Sequence, residues 1–552
     1  MTAAQTTTIG AYLLQRLHEL GIGHIFGVPG DFVLGFMTEI EASPVQLINT
    51  CDEQGAGFAA DAYARLKGLG AVCVTYGVGG LKVANTTGQA YAERVPVVVI
   101  SGAPSMAERR RNPLIHHKVR SYDTQLRVFQ QLTVAWTVLD DEENACREID
   151  RVLRLCKRYS RPVYIELPRD MVDKEVEAEP QAIDDHVSSD PRTLAAALAE
   201  ATTWINHAQQ PVIFFGVELY RFGLEAEALE LIEASGIPAA VTLLDKGAIE
   251  ERSPHFLGVY AGALGRADVR QYVEASDCLI MLGTLLTDIN LGIATANIDP
   301  AKCIHVTRER LAVGLHTYEN VGLDDFVRGL ADAGIEPRTN RDHPRAPEPH
   351  PVEITEAERP QPMTVAHLFS RLQSYLDEDT IVIADPGDAL FASIDLPVQE
   401  ARAFLAPAFY ASLGFAVPAA IGAQCARPDD RPLVLVGDGA FQMTGMELST
   451  CAKFGLDPIV IVLNNDGYTT ERLIVDGGFN DIQQWNFSAL PEVLQSGRAF
   501  LVRTRGELED ALAVAKTRDG LFVLLDVRLD KRDFSPALRR LGQGLNKAAT
   551  AT

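Results

Sequence analysis

Apolar residues fall along this chain in two recurring patterns. Short runs rich in apolar residues and without alternation, at 71–75, 95–100, 162–166, 211–215, 278–282, 303–306, 380–384, 433–436 and 458–463, read as strands covered on both faces. Stretches with helical spacing lie between them. Leu13, Leu14, Leu17 and Leu20 make one such stripe, and Gly21 ends it. Alternation of strand and helix along the whole chain predicts an α/β protein, built of doubly wound parallel sheets covered by helices.

Two stretches break the alternation. Residues from about 176 to 192 are acidic and carry Pro180 and Pro191; residues from about 337 to 362 are rich in proline and charge. Neither composition builds a core, so both are expected to run extended over the surface. Cutting there leaves three expected domains, 1–183, 192–338 and 361–552. The sequence shows no internal repeat between them.

Composition narrows the function. The chain has 552 residues, 50 Lys+Arg and 74 Asp+Glu, a net charge of -24. That balance argues against nucleic acid and anionic membrane as general partners, though not against an anionic small molecule in a local cleft. The eight cysteines are scattered with no Cys-x-x-Cys pair, which removes zinc ribbons and dithiol redox sites; Cys73, in an apolar run, reads as a core residue. No basic and apolar leader opens the chain and no apolar run reaches membrane-spanning length. A cytoplasmic protein is expected.

Chemistry concentrates where two buried strands end. Leu433–Val436 runs into Gly437-Asp438-Gly439, and Ile459–Leu463 runs into Asn464-Asn465-Asp466-Gly467. Ligands of open α/β sheets bind at such carboxyl ends. Asp438 offers a hard anionic oxygen, Asn465 an amide oxygen and Gly467 a main-chain carbonyl, a set suited to octahedral Mg2+ completed by phosphate and water. Gly437 and Gly439 would let the main chain approach a diphosphate. A helix is expected to begin near Thr444 with its amino end toward that region.

A Gly-Asp-Gly followed about two dozen residues later by Asn-Asn resembles the signature of thiamine diphosphate enzymes. The likeness runs from about residue 8 to 545 and is nearest to the pyruvate, indolepyruvate and phenylpyruvate decarboxylases. It implies three domains, binding the pyrimidine, nothing assigned, and the diphosphate respectively, with a C-terminal lid helix in the last. It also implies Mg2+, and a homodimer or homotetramer with active sites between chains.

By the same resemblance, Glu53 hydrogen-bonds N1′ of the aminopyrimidine and so activates C2–H. The match is the run Cys51-Asp52-Glu53 followed by Ala59-Ala60-Asp61-Ala62-Tyr63-Ala64-Arg65; on spacing alone Glu53 would be a first-turn helix acid. Val78 contacts the pyrimidine, Leu413 wedges between the two rings, and the Ala411 carbonyl receives the 4′-amino group. Further cofactor contacts fall on Pro386, Gly437, Asp438, Gly439, Ala440, Asn465, Gly467, Tyr468, Thr469 and Thr470. Asp31 in Val28-Pro29-Gly30-Asp31, the pair His116-His117 and Glu471 form the implied proton-relay cluster. Without the resemblance Asp31 would be a turn aspartate, the histidines incidental, and Glu471 a solvated helix position. The implied reaction turns a 2-oxo acid into an aldehyde and CO2 through a C2 carbanion and an enamine.

The substrate pocket implied comprises Ile289, Pro386, Leu390, Phe391 and Val475, with Leu538 and Leu541 on the closing helix. Ile289 and Leu390 stand where pyruvate-specific relatives carry bulkier aromatic residues. An aromatic or medium- or branched-chain 2-oxo acid is therefore expected, as indolepyruvate or phenylpyruvate, with pyruvate as the alternative. Competing readings are a carboligase on the same scaffold, disfavoured by the histidine pair and Glu471, and a scaffold without catalysis. A nicotinamide or flavin oxidoreductase is a further rival, but Gly77-Val78-Gly79-Gly80-Leu81-Lys82 fails the dinucleotide fingerprint at its last position.

Overall fold

The computed structural model describes residues 5–183, 186–339, 342–345 and 352–551. The chain ends (1–4 and 552) and parts of the two expected linkers (184–185, 340–341 and 346–351) lie outside the described residues. Contacts divide the chain into two units. The first runs to His186 and takes in Val417–Asp429 and Thr444–Leu456; the second holds Val187–Ala416, Asp430–Met443 and Asp457 onward.

The first unit is built on a six-stranded parallel sheet. Its order is Gln46–Asn49, His24–Gly27, Gly70–Val74, Val97–Ala103, Val163–Pro168 and Ala135–Val138. Gly70–Val74 and Val97–Ala103 are buried at every position, as unbroken apolar runs between helical layers must be. The helix Glu53–Lys67 starts with Asp52 as cap, its side chain accepting from Gln54 N, and ends at Gly68 with φ 82°. Arg65 buries its guanidinium against Asp61 (2.5 Å) and Glu93 (2.7 Å). Removing either acid would leave a buried charge short of a partner, at about 3–5 kcal/mol. A Cβ at Gly422 would stand 1.9 Å from Ala59 O, so glycine there lets the segment Val417–Asp429 lie directly on this helix.

The second unit contains two sheets. The C-terminal one is parallel throughout, in the order Phe404–Leu405, Thr380–Ala384, Arg431–Gly437, Ile459–Asn464, Val523–Arg528 and Arg498–Val502. The central sheet runs Phe256–Val259, Ala239–Val241, Pro211–Phe215, Cys278–Leu282, Cys303–Val306, Leu311–Val313 and His316–Tyr318. Its last two strands are antiparallel. This edge departs from the expected all-parallel sheet: Leu311–Val313 and His316–Tyr318 are three residues each and turn at Gly314, φ 57°, too short a pattern to register in the sequence.

Two further expectations need correction. The helix after the Gly-Asp-Gly turn begins at Asp438, not near Thr444; Asp438–Thr444 is itself helical and passes through a 3-10 turn, Gly445–Glu447, into Leu448–Phe454. The glycines on both sides of Asp438 concealed the start. The stretch 176–192 is also less of a linker than its composition implied. Glu175–Ala178 pairs antiparallel with Gln5–Thr8, and Pro191 opens the helix Pro191–His207 behind the cap Asp190.

Candidate functional site

Functional residues gather in two sets, one in each unit. In the second unit a cavity of about 240 Å³ opens at the carboxyl ends of Thr380–Ala384, Arg431–Gly437 and Ile459–Asn464. Thr380–Ala384 and Arg431–Gly437 flank the point where the strand order reverses, where open α/β sheets bind ligands. Its lining includes Pro386, Ala411, Leu413, Gly437, Gly439, Ala440, Asn465, Gly467, Tyr468, Thr469, Thr470 and Glu471, together with Ile289, Leu390 and Phe391. Val475 is 60% exposed and outside this lining. Leu538 and Leu541 are buried in the core on the helix Pro536–Ala551 and do not line it either.

Asp438 is fully buried. Its Oδ1 accepts from Gly439 N at 2.8 Å and its Oδ2 from Gly467 N at 3.1 Å. Burial nevertheless pushes its carboxyl up to about 6. Asn465 is buried too, and its Oδ1 has no hydrogen-bond partner. A buried carboxylate and an orphaned buried amide oxygen are each costly alone, and both are ligands that a hard divalent cation takes. A Cβ at Gly437 would meet nothing within 4 Å, so the main chain there faces open space. Gly467, at φ 130°, admits no other residue, because a Cβ would stand 1.9 Å from Asn480 O. The donor set thus fits Mg2+ and a diphosphate, with Asp438, Asn465 and the Gly467 carbonyl as the residues that would hold them.

The first unit holds Asp31, His116, His117, Val78 and Glu53 of the expected site. Asp31 follows the strand His24–Gly27, and its Oδ2 lies 2.8 Å from His116 Nε2. His117 adopts φ 65°, and its ring centroid is 4.6 Å from that of His116. A ligand atom from each of Asp31, His116 and His117 falls within 4.8 Å of the others. Gly77, φ 71°, brings the following loop against them; a Cβ there would stand 2.5 Å from His117 O. Val78 begins the helix Val78–Lys82 and is 51% exposed. Glu53, 9% exposed, opens its own helix, and its Oε1 would stand 3.3 Å from a Cβ at Gly79. Asp31, His116, His117, Val78 and Glu53 therefore share one end of the sheet, while Glu471 belongs to the other set, in the first turn of Thr469–Ile474.

Several residues that fix these loops escaped the sequence. Buried Asp385 accepts from Gly414 N (3.0 Å) and Ala416 N (2.8 Å), which pins the turn holding Ala411 (φ 56°) and Leu413; burial pushes it up to about 7. Its place directly after a buried strand was the available signal. Glu447 accepts from Cys51 N and Asp52 N, both at 3.1 Å, and so sets the start of the Glu53 helix. Gln125 accepts from Gly77 N at 2.7 Å and donates to Ser101 Oγ and Tyr164 OH. Arg472 ties Asp466 O, Asp476 and Asp481 around the loop of Glu471. Such contacts join residues far apart in sequence, and no local pattern announces them.

Comparison with known proteins gives three family matches along the chain. Residues 7–125 match the thiamine pyrophosphate enzyme N-terminal TPP binding domain, 198–326 the central domain and 387–527 the C-terminal TPP binding domain. The chain is 38% identical over 543 residues to an indole-3-pyruvate decarboxylase of Azospirillum brasilense, covering 98% of each. It is 35% identical over 544 residues to an alpha-keto-acid decarboxylase of Mycobacterium tuberculosis (strain ATCC 25618 / H37Rv), covering 97% of this chain and 96% of the relative. The alpha-keto-acid decarboxylase of Mycobacterium leprae (strain TN) is 34% identical over 554 residues.

Proposed function

The chain belongs to the thiamine pyrophosphate enzyme family, and we propose that it decarboxylates a 2-oxo acid, aromatic or of medium or branched chain, to an aldehyde and CO2. The observation that carries the assignment is the cavity at the strand ends, where buried Asp438 and the orphaned Asn465 Oδ1 suit a cation and a diphosphate. Bound there, thiamine diphosphate would supply the electron sink that lets CO2 leave.

The remaining steps fall to this chain's own groups. Asp438, Asn465 and the Gly467 carbonyl would hold Mg2+. Leu413 and Ala411, on the turn fixed by Asp385, would set the cofactor's bend and receive its 4′-amino group. Glu53 would hold the proton exchanged with N1′. His116, paired with Asp31, His117 and Glu471 would pass protons to and from the reacting carbon and release the aldehyde. Ile289, Leu390 and Phe391 line the cavity with aliphatic and aromatic surface, which supports a substrate larger than pyruvate, as does the name of the Azospirillum relative. Val475, exposed at the end of Thr469–Ile474, and Leu538 and Leu541, buried in the core on Pro536–Ala551, stay outside this lining.

The acid–base set and the diphosphate set would complement one another between two copies of the chain, in a homodimer or a tetramer of dimers. On this view residues 1–183 serve the pyrimidine, 361–552 the diphosphate, and 192–338 join them. The eight cysteines are free, seven of them buried, and no helix among the described residues is long and apolar enough to cross a membrane. A reducing, cytoplasmic setting accords with the free thiols.

An aldehyde-release assay over a panel of 2-oxo acids tests the proposal. Release should require thiamine diphosphate and a divalent cation, and indolepyruvate or phenylpyruvate should give a higher kcat/KM than pyruvate. Pyruvate as the best substrate would refute the size argument; acyloin as the main product would refute the decarboxylase assignment.

A further inference from the structure

Glu53 does not stand alone. Lys82, the last residue of the helix Val78–Lys82, places its Nζ 2.7 Å from Glu53 Oε2 and also pairs with Asp52. The Glu53 side chain is 12% exposed and that of Lys82 48%. The two carboxylate oxygens therefore have different surroundings. Oε2 is tied to a cation, whereas Oε1 has no hydrogen bond among the described residues and faces Gly79, which follows Val78 in the helix Val78–Lys82.

We propose that Lys82 is a positioning residue for cofactor activation, holding Glu53 Oε2 so that Oε1 is presented to N1′ of the pyrimidine. The inference rests on Glu53 being the acid that meets that ring. Its chemistry is simple proton transfer. Bound thiamine diphosphate would offer N1′ as the partner with which Oε1 exchanges its proton, while Lys82 would stay charged on Oε2. Without the ammonium Oε2 of this nearly buried side chain would lose its partner and its fixed orientation, and Oε1 would be presented to N1′ less well. Asp52 gives the lysine a second anchor. Its own side chain is fixed by accepting from Gln54 N at 2.8 Å, so the ammonium stays at the start of the Glu53 helix whichever oxygen of Glu53 carries the proton. The rival explanation is a surface ion pair of no functional consequence, which half exposure would ordinarily favour. The nearly buried partner and the free second oxygen argue against it.

The holoenzyme variants Lys82→Met, Lys82→Arg and Glu53→Gln separate these cases. Three quantities are measured: deuterium exchange at C2 of the bound cofactor after acid quench, the Kd for thiamine diphosphate with Mg2+ by calorimetry, and the Tm of the cofactor-free protein. Lys82→Met should slow exchange and kcat together by about tenfold, the size expected for losing one partly screened charge. KM, the Kd and the Tm should stay close to those of the parent, and Lys82→Arg should recover most of the exchange rate. Glu53→Gln should nearly abolish exchange. Exchange at the parent rate in Lys82→Met, with Glu53→Gln impaired, would overturn the role of Lys82 and leave Glu53 standing. Parent-rate exchange in Glu53→Gln would overturn both. A lowered Tm in Lys82→Met with no recovery in Lys82→Arg would reduce the pair to a structural contact and overturn the proposal.

Discussion

The first and the C-terminal sheets are built on one plan and finished with opposite chemistry. Numbered along the chain, the strands of each lie in the order 2-1-3-4-6-5. After strand 1 the first sheet continues Val28-Pro29-Gly30-Asp31, and the C-terminal sheet Asp385-Pro386-Gly387-Asp388. The two Pro-Gly-Asp turns then diverge. Asp31 is exposed and pairs with His116. Asp388 is buried, accepts from Ser535 N just before the helix Pro536–Ala551, and is pushed by burial up to about 6. After strand 3 the first sheet continues through residues 75–77 into the helix Val78–Lys82, whose Gly79 packs against Glu53; the C-terminal sheet continues into buried Asp438, between two glycines that line the cavity. A common frame fixes where strand ends point, and the side chains there differ in burial: Asp31 is exposed and paired with a histidine, whereas Asp388 and Asp438 are buried.

Three perturbations test that division, from the largest effect down. Asp438→Ala should weaken binding of thiamine diphosphate with Mg2+ by about 100-fold or more, as removal of a metal-ligating carboxylate does. EDTA treatment should mimic it and added Mg2+ reverse it, with calorimetry as the readout. His116→Gln should leave that Kd unchanged and lower kcat for aldehyde release by about 100-fold, the scale of one general acid–base group. If His116→Gln lost cofactor instead, the two sheet ends would not divide the work.

The smallest effect concerns Asp385. Burial raises its folded carboxyl from 3.8 to about 7, so the folded protein binds more protons than the unfolded chain between those values. Its contribution to stability is fully present below pH 3.8 and is lost as pH rises toward 7. Chemical denaturation of parent and Asp385→Asn between pH 4 and 8 should show the parent losing stability relative to the variant as pH rises. Equal slopes would mean that the two backbone N–H groups offset the burial completely.

Much of this was legible in the sequence because buried strands leave runs dominated by apolar residues: 211–215, 278–282, 303–306 and 380–384 coincide with observed strands. The helix from Ile9 to Glu19 likewise follows its stripe. The Gly-Asp-Gly and Asn-Asn turns were legible for the same reason, each following such a run. The shared strand order was not, because handedness and layer packing fix topology while the side chains that fill the layers are free to differ. Nor was the grip of Lys82 on Glu53, or of Glu447 on the start of that helix, since each pairs loops or helices whose spacing carries no period. The short antiparallel edge of the central sheet fell below the length at which alternation can be recognised.

The most direct test mixes two dead enzymes. Glu53→Gln and Asp438→Ala chains are each expected to be inactive alone, one lacking the acid and the other the cation site. If a single cofactor is served by the first unit of one copy and the second unit of another, unfolding and refolding them together should restore roughly a quarter of parental aldehyde release, because half the dimers are mixed and each mixed dimer has one intact site. A mixture that stays inactive while parental protein survives the same treatment would contradict the assignment.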